Sequence, residues 1–230
     1  MATLDQIRQR ELLARLESGA EYSFGDASDC PLPAAMLARL EACSPGVEAV
    51  QEGGLSARIY RLHHPGGRFA VKAHACRMPG AQCRRQDLVS QRTAAHAELR
   101  CLRESGVCLP GIIAPVYGSL HEGAIVSPWI EDEEVTCFDA RRAAQWLASA
   151  CTLATQGLFE WDFRPGNVID DGRQVWLFDF GFMYRFDALT QFNSAGRGND
   201  FPQFHPAERI ETRNAFAWLL ELEDDLHGQT

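Results

Sequence analysis

Residues 161–181 read Trp-Asp-Phe-Arg-Pro-Gly-Asn-Val-Ile-Asp-Asp-Gly-Arg-Gln-Val-Trp-Leu-Phe-Asp-Phe-Gly. Two short apolar runs, at 168–169 and 175–178, flank an acidic turn that contains a glycine, a pattern typical of a β-hairpin. A hairpin brings its two ends together, so we expect Asn167 and Asp179 to face a common point. The stretch therefore predicts a hairpin with polar side chains gathered at its open end.

These polar side chains are suited to holding a metal ion beside a reacting hydroxyl group. An amide oxygen from Asn167 and a carboxylate from Asp179 are ligands that Mg²⁺ prefers. Asp162, one loop-width away, is placed to accept a proton from an incoming hydroxyl. This arrangement suits phosphoryl transfer, where catalysis is mostly positioning and charge neutralisation. The alternative interpretation of the same residues is an ordinary β-hairpin with acidic turns.

Two motifs in this stretch resemble those of a known family. Residues 162–167, Asp-Phe-Arg-Pro-Gly-Asn, resemble the Asp-x-Lys-Pro-x-Asn catalytic loop of the protein-kinase superfamily, and residues 179–181 match its Mg-binding Asp-Phe-Gly. Asp-Phe-Gly by itself often arises by chance, whereas both motifs at this spacing form a specific signal. The resemblance implies an α+β, two-lobed kinase-like fold, with ATP and Mg²⁺ as cofactors.

The pattern of predicted elements agrees with that order of lobes. Apolar residues at helical spacing predict a helical N-terminal extension over 1–46. Residues 47–127 predict a small lobe built from an antiparallel five-stranded sheet and one helix, at 87–104. Residues 128–230 predict a reduced, mainly helical large lobe, because only 49 residues follow Gly181.

The composition is that of a folded, acidic protein. Of its 230 residues, 46% are apolar and 10% aromatic, which favours a packed core over disorder. The net charge of −9 argues against nucleic acid as a partner. Eight cysteines without a Cys-x-x-Cys pair, and without a signal peptide, predict reduced thiols in the cytoplasm. No apolar run reaches the roughly 18 residues of a membrane span. The chain also resembles compact bacterial kinase-like proteins, some of which are effectors secreted into a host cell, and this resemblance implies a host cell as the alternative location.

Lys72 is the only lysine of the chain, against 21 arginines. It lies in the third predicted strand, in Phe-Ala-Val-Lys, which is similar to the family's Val-Ala-Ile-Lys. The resemblance implies that its ammonium group holds the α- and β-phosphates of ATP; the alternative is a strand lysine that faces solvent. Glu98 is our choice for the helix carboxylate that fixes Lys72, and Glu104 is its competitor.

Two further segments are expected to contact ATP. Gly53, Gly54 and Ser56 would form a turn over the phosphates, because adjacent glycines let backbone N–H groups approach an anion closely. An ordinary hairpin turn is the alternative there. The resemblance also places the adenine against the inter-lobe hinge, where Pro128 offers its carbonyl and Ile130 its N–H.

The catalytic loop departs from the family pattern on both sides of its aspartate. Arg164 replaces the lysine that contacts the transferred phosphate, a role that the resemblance extends to this guanidinium; a surface arginine is the alternative. Glu160-Trp161 replaces the family's His-Arg pair. We therefore expect no activation by loop phosphorylation through that arginine.

The resulting hypothesis is a protein serine/threonine kinase that uses Mg-ATP. Asp162 would be the base, and Asn167 and Asp179 would be the metal ligands. The residues that contact or position the phosphates would be Lys72, Glu98 and Arg164. The proline after Arg164 favours a protein substrate, and a small-molecule or lipopolysaccharide acceptor is the alternative. A third interpretation is a catalytically silent, nucleotide-binding pseudokinase, which the incomplete glycine turn supports.

Overall fold

The structure is a computed structural model, and it describes residues 10, 14, 18, 23–37, 39–51, 57–74, 84–131, 139–160, 162–185 and 210–227. The predicted phosphate-covering turn at Gly53, Gly54 and Ser56 lies outside these residues. The same holds for most of the helix expected near the N-terminus.

An antiparallel sheet of six strands forms the first half of the fold. Its strand order is β1-β5-β6-β4-β3-β2, and every neighbouring pair is antiparallel. The strands are β1 (Ser23–Gly25), β2 (Val47–Gln51), β3 (Ala57–His64), β4 (Gly67–His74), β5 (Tyr117–Ser119) and β6 (Ala124–Pro128).

Alternation along the central strands gives this sheet two different faces. On β4, Val71 is fully buried in a core that also contains Tyr60 of β3 and Val126 of β6. That core includes Leu37 and Leu40 from the N-terminal segment, which covers this face. The residues in between, such as Lys72, point to the opposite face because side chains alternate along a strand.

The rest of the fold consists of helices and two small two-stranded sheets. The helix α2 (Arg84–Glu104) follows β4, and a short α1 (Ala34–Leu37) precedes β2. Two longer helices follow. Asp139 caps the N-terminus of α3 (Ala140–Thr155) by accepting from the N–H of Arg142, and α4 (Phe216–His227) continues a π-helical turn. One of these sheets pairs β7 (Leu158–Glu160) with β10 (Met183–Arg185), and the other is the hairpin of β8 (Val168–Asp170) and β9 (Val175–Leu177).

These elements share a second hydrophobic core. Its members come from α2, α3 and the residues on either side of the β8–β9 hairpin, and include Leu99, Leu153, Phe163 and Phe180, each at most 1% exposed. Among the helices that the structure describes, none has the length and apolarity needed to cross a bilayer.

The predicted α+β fold with an antiparallel small-lobe sheet is confirmed, with one correction to the strand count. The sheet has a sixth strand, β1, taken from the segment that we assigned to a helical extension. Phe24 is the single apolar residue of this three-residue strand, so no alternating pattern announced it. It is held by pairing with β5 and by packing of its ring against Gly118.

Candidate active site

A cavity of about 230 Å³ lies between the sheet and the β8–β9 hairpin. Apolar side chains from both sides line it, including Ile59 and Ile125 from the sheet and Val168 from the hairpin. Pro128 and Lys72 also line it, and their strand positions are three residues apart in register, or about 10 Å. The cavity is therefore apolar near the end of β6 and charged at Lys72.

Lys72 faces the hairpin across this cavity. Its Nζ lies 2.7 Å from Oδ2 of Asp179, and its side chain is 17% exposed. The ammonium also lies 5.8 Å from the centre of the Phe178 ring. The alternative of a solvent-facing lysine thus does not describe the geometry, although the role of Lys72 stays a prediction.

Arg92 of α2 is the second cation on Asp179, and the sequence analysis did not single it out. Its Nε donates to Oδ1 at 2.6 Å and its Nη2 donates to Oδ2 at 2.9 Å, a bidentate contact. Arg92 is 8% exposed and lines the cavity. A signal was available, because Arg92 shares a helix face with His96 and Leu99, and an arginine on a buried face needs an acidic partner.

These two cations control the charge of Asp179. Burial alone would raise the pKa of this carboxyl group, but the charges of Lys72 and Arg92 together hold it well below its usual range. Asp179 is consequently ionised at any physiological pH, as a metal ligand must be.

Glu98 does not contact Lys72, which corrects the predicted ion pair. Its carboxylate pairs instead with Arg185 of β10. Six residues separate Glu98 from Arg92 on α2, so the two side chains diverge by about 120° around the helix axis. From the described residues of α2, Arg92 contacts Asp179 of this pair. Glu98 remains half-buried, and burial raises its pKa against the opposing effect of Arg185.

The loop between β7 and β8 brings Asp162, Arg164 and Asn167 together. The Nδ2 of Asn167 donates to the backbone oxygen of Asp162 at 2.9 Å and to its Oδ2 at 3.0 Å. Arg164 places its Nε 3.1 Å from the same Oδ2, and its side chain is 53% exposed. A short 3₁₀ turn, Pro165–Asn167, buries Asn167 and leads into β8.

The two predicted metal ligands flank the open end of the β8–β9 hairpin. Val168 pairs with Leu177, and the N–H of Phe178 donates to the backbone oxygen of Asn167 at 3.4 Å. The next residue is Asp179, which also accepts from the N–H of Gly181 at 3.2 Å. The hairpin geometry that the sequence predicts is therefore the one observed.

Glu160 lies beneath this loop and is 2% exposed. Its Oε1 accepts the N–H of Asp162 at 2.8 Å, while its Oε2 has no hydrogen-bond partner among the described residues. Burial, reinforced by the nearby charges of Asp179 and Asp162, raises its pKa well above the usual range. Burial thus favours the protonated form of Glu160, whose Oε1 holds the N–H of Asp162 in the loop between β7 and β8, a role that we did not predict.

Aromatic contacts connect the Asp-Phe-Gly segment to the sheet. The ring of Phe180 packs edge-on against His96 at 5.4 Å, and His96 lies 6.1 Å from Phe24 of β1. Burial, with the charge of Lys72, lowers the pKa of His96 to about 3, so this imidazole is neutral. His96 therefore contacts Phe24 and Phe180 as an uncharged aromatic ring.

At the other end of the cavity the predicted hinge residues Pro128 and Ile130 both line the wall. Pro128 is paired with Phe69 in the sheet, and the N–H of Trp129 donates to the oxygen of Arg68 at 2.8 Å. These bonds fix the course of the backbone past the cavity mouth.

The residues present fit a nucleotide and a divalent ion. Apolar walls suit a base, and Lys72 and Arg92 suit phosphates. Asn167 and Asp179 provide the oxygen donors that Mg²⁺ takes, with the remaining positions left to phosphate and water. No cluster of three or more His, Cys, Asp or Glu suited to a metal occurs in the described part of the chain. A site of this kind would therefore depend on the nucleotide for much of its coordination.

Comparison with known proteins gives similarities of structure only. No family model and no curated protein matches the sequence. Similar solved structures include WbdD in complex with the kinase inhibitor LY294002, at 21% identity and a TM-score of 0.42, covering 64% of this chain and 34% of that one. Vaccinia related kinase 3 is similar at 15% identity and a TM-score of 0.41, covering 66% and 55%. The M. tuberculosis PknI kinase domain is similar at 19% and 0.40, covering 76% and 75%. The chain thus spans about a third of the WbdD chain and just over half of vaccinia related kinase 3.

Proposed function

We propose that the chain is a phosphotransferase that uses Mg-ATP and phosphorylates a hydroxyl group. One observation carries the proposal: Lys72 and Asp179 meet at 2.7 Å at the charged end of an otherwise apolar cavity. The only lysine of the chain and the aspartate of the Asp-Phe-Gly segment come from elements 107 residues apart. A merely structural hairpin would not require that pairing.

In this proposal the loop residues act on the acceptor. Asp162 takes the proton as the acceptor oxygen forms its bond to the γ-phosphorus, and the bond to the bridging oxygen breaks to release ADP. Asn167 holds Asp162 in place by its two hydrogen bonds. Mg²⁺, held by Asn167 and Asp179, would supply neutralisation of phosphate charge. Arg164, on the exposed side of Asp162, would add positive charge near the transferred group.

The acceptor that we propose is a serine or threonine of a protein. The support is the resemblance of the Asp-Phe-Arg-Pro-Gly-Asn loop to that of protein kinases. A small-molecule or lipopolysaccharide hydroxyl is the second acceptor class, and the assay below separates the two by where the label appears.

A nucleotide-binding protein without transfer is a rival favoured by one observation. Both oxygens of Asp179 are engaged by cations of the protein, Lys72 and Arg92, so a metal ion must compete for this carboxylate. The rival predicts nucleotide binding in which Asp162 is dispensable.

The test is transfer of γ-labelled phosphate from ATP with Mg²⁺ to lysate proteins and to small-molecule extracts. We expect label transfer by the wild type, and a loss of rate of about 100-fold or more in Asp162→Asn and in Lys72→Ala. The matched control is Arg100→Gln, on the exposed side of α2, where the wild-type arginine pairs with Glu104. ADP binding with no transfer to any acceptor, unchanged in Asp162→Asn, would establish the rival instead.

A further inference from the structure

One polar side chain lies at the apolar end of the cavity without a hydrogen-bond partner. Ser127 of β6 lines the cavity and is 9% exposed. Within the described part of the chain, its hydroxyl group forms no hydrogen bond. A polar group shielded from bulk water is costly unless a water molecule or a ligand supplies the missing bond. A ligand that enters the cavity therefore gains by offering a polar group to this hydroxyl.

The register of the sheet determines which way Ser127 points. It pairs with Ala70 of β4, and Ile125, two residues earlier on β6, pairs with Lys72. All four residues line the cavity, because side chains two apart on a strand and those paired across it share a face. Val126, between Ile125 and Ser127, is buried in the core on the opposite face. Ser127 thus lies about 7 Å along the strand from the level of Lys72.

This spacing places Ser127 beside the base of a nucleotide. The ribose separates the base from the phosphates, so phosphates at Lys72 leave the base toward the apolar end of the cavity. Pro128 and Ile130, the next lining residues along the backbone apart from Trp129, offer a carbonyl and an N–H. Both adenine and guanine carry N–H donors and ring or oxo acceptors, so this pair of backbone groups suits either base.

The side chains around the cavity contain no group that rejects one purine. Discrimination between adenine and guanine requires a group that the wrong base repels or leaves unpaired, for which a carboxylate is well suited. No aspartate or glutamate occurs among the described residues that line the cavity. Gln51, which also lines it, has an amide that both donates and accepts hydrogen bonds.

The hydroxyl of Ser127 can serve either base because its hydrogen rotates. A serine hydroxyl has one donor and two acceptor lone pairs. It can accept from the amino group that adenine carries on its sixth ring atom, and it can donate to the oxygen that guanine carries there. Neither contact requires the side chain or the backbone of β6 to move to a new position.

We propose that the cavity binds guanine as well as adenine nucleotides, and that Ser127 is the specificity-determining residue whose hydroxyl contacts either base. The inference rests on the nucleotide site proposed above and extends it to the class of purine nucleotides. GTP then donates its γ-phosphate as ATP does. The acceptor oxygen bonds to the phosphorus, Asp162 takes the proton, and the bond to the bridging oxygen breaks to release GDP.

The experiment measures the dissociation constants of ADP and GDP for the full chain in Mg²⁺, by calorimetry. We expect the two wild-type constants to agree within about tenfold. Ser127→Ala should raise both by about two- to tenfold, since one neutral hydrogen bond is lost. Ser127→Cys, whose thiol has a similar size but bonds weakly, should show a loss in the same range.

The matched control is Ser105→Ala, and thermal unfolding checks that each variant is folded. Ser105 is exposed just beyond α2, where its hydroxyl donates to the backbone oxygen of Leu102 at 2.8 Å. Its removal should leave both dissociation constants within twofold, or about 0.4 kcal/mol, of the wild-type values.

Each outcome supports or overturns the inference. Wild-type constants that differ by more than about tenfold overturn it, and tight ADP with weak GDP leaves the proposed function intact. Losses below twofold in the folded Ser127 variants, or a loss for one nucleotide alone, also overturn it, because the hydroxyl then does not contact both bases. A wild type that binds neither nucleotide overturns this inference and the proposed function together.

Discussion

Burial and neighbouring charges shift the pKa values of two buried acids of the site, Glu160 and Asp179, in opposite directions. Asp179 has two cations within 3 Å, and their charges outweigh the cost of burial. Glu160 accepts one backbone N–H, and nearby acids add to the cost of ionising it. The charged form is therefore favoured at Asp179 and the protonated form at Glu160.

Replacing Glu160 by glutamine should change the pH dependence of stability. A carboxyl whose pKa is raised by folding contributes stability that is complete below its unfolded pKa, about 4.3, and is lost as the pH rises toward its folded pKa. Glu160→Gln keeps an acceptor for Asp162 and cannot ionise. We expect the free energy of unfolding of the variant, relative to the wild type, to increase between pH 4 and pH 7 in urea titrations.

The exposed Glu104→Gln is the control, and its difference from the wild type should vary little over that range. A difference between Glu160→Gln and the wild type that is equally constant from pH 4 to pH 7 would contradict a neutral Glu160.

Among the elements, the β8–β9 hairpin is tied to the helical half through Gly111. The backbone oxygen of Gly111 accepts from the N–H of Leu177 at 2.7 Å, and the N–H of Ile113 donates to the backbone oxygen of Leu177 at 3.0 Å. Gly111 has φ +64, and an added Cβ would lie 2.6 Å from both Ser149 Oγ and the backbone oxygen of Val175. The hairpin that carries the site is thus positioned by a contact that only glycine permits.

Gly111→Ala should accordingly lower the free energy of unfolding more than backbone strain alone explains. Gly106→Ala is the matched comparison, since Gly106 also has positive φ, +91, but an added Cβ would meet nothing within 4 Å. We expect about 1 kcal/mol of destabilisation at Gly106, and about 2 to 4 kcal/mol at Gly111, where the clash adds to the strain. Equal losses in chemical denaturation would show that the close approach has no energetic consequence.

The sequence predicts the path of the hairpin backbone better than it predicts which side chains of α2 face the site. Apolar runs around an acidic turn were sufficient to predict the hairpin, whose open end is flanked by Asn167 and Asp179. The helix partner of Lys72 was assigned to Glu98, because a carboxylate was sought in a helix whose rotation is not visible in sequence. Arg92 faces the site because packing of Leu99 and His96 sets that rotation.

At the scale of the molecule, a series of aromatic contacts connects β1 to the Asp-Phe-Gly segment at 179–181. Phe24 packs on Gly118, lies 6.1 Å from His96, and His96 in turn contacts Phe180 at 5.4 Å. Asp179 precedes Phe180 directly. The N-terminal segment thereby supports the site, in addition to covering the outer face of the sheet with Leu37 and Leu40.

Phe24→Ala should consequently affect both stability and binding. Truncating a buried phenylalanine costs about 3 to 5 kcal/mol, and we expect a loss in the lower part of that range because Phe24 lies in an edge strand. ADP affinity should fall as His96 and Phe180 lose their support. Phe216→Ala on α4, where the ring is 46% exposed, is the control and should change the free energy of unfolding by less than about 1 kcal/mol. Unchanged ADP affinity in a folded Phe24→Ala protein would limit β1 to a structural role.

Local chemistry was sufficient to predict the features that depend on residues close together in the chain: five strands of the sheet and the β8–β9 hairpin. Each of these follows from periodicity, turn residues or side-chain type over a few positions. Three features were decided only in the folded chain: the strand at Phe24, the raised pKa of Glu160, and the two cations on Asp179. The reason is that helix rotation, burial and the electrostatic effect of neighbouring charges are set by packing over the whole molecule, which no short stretch of sequence contains.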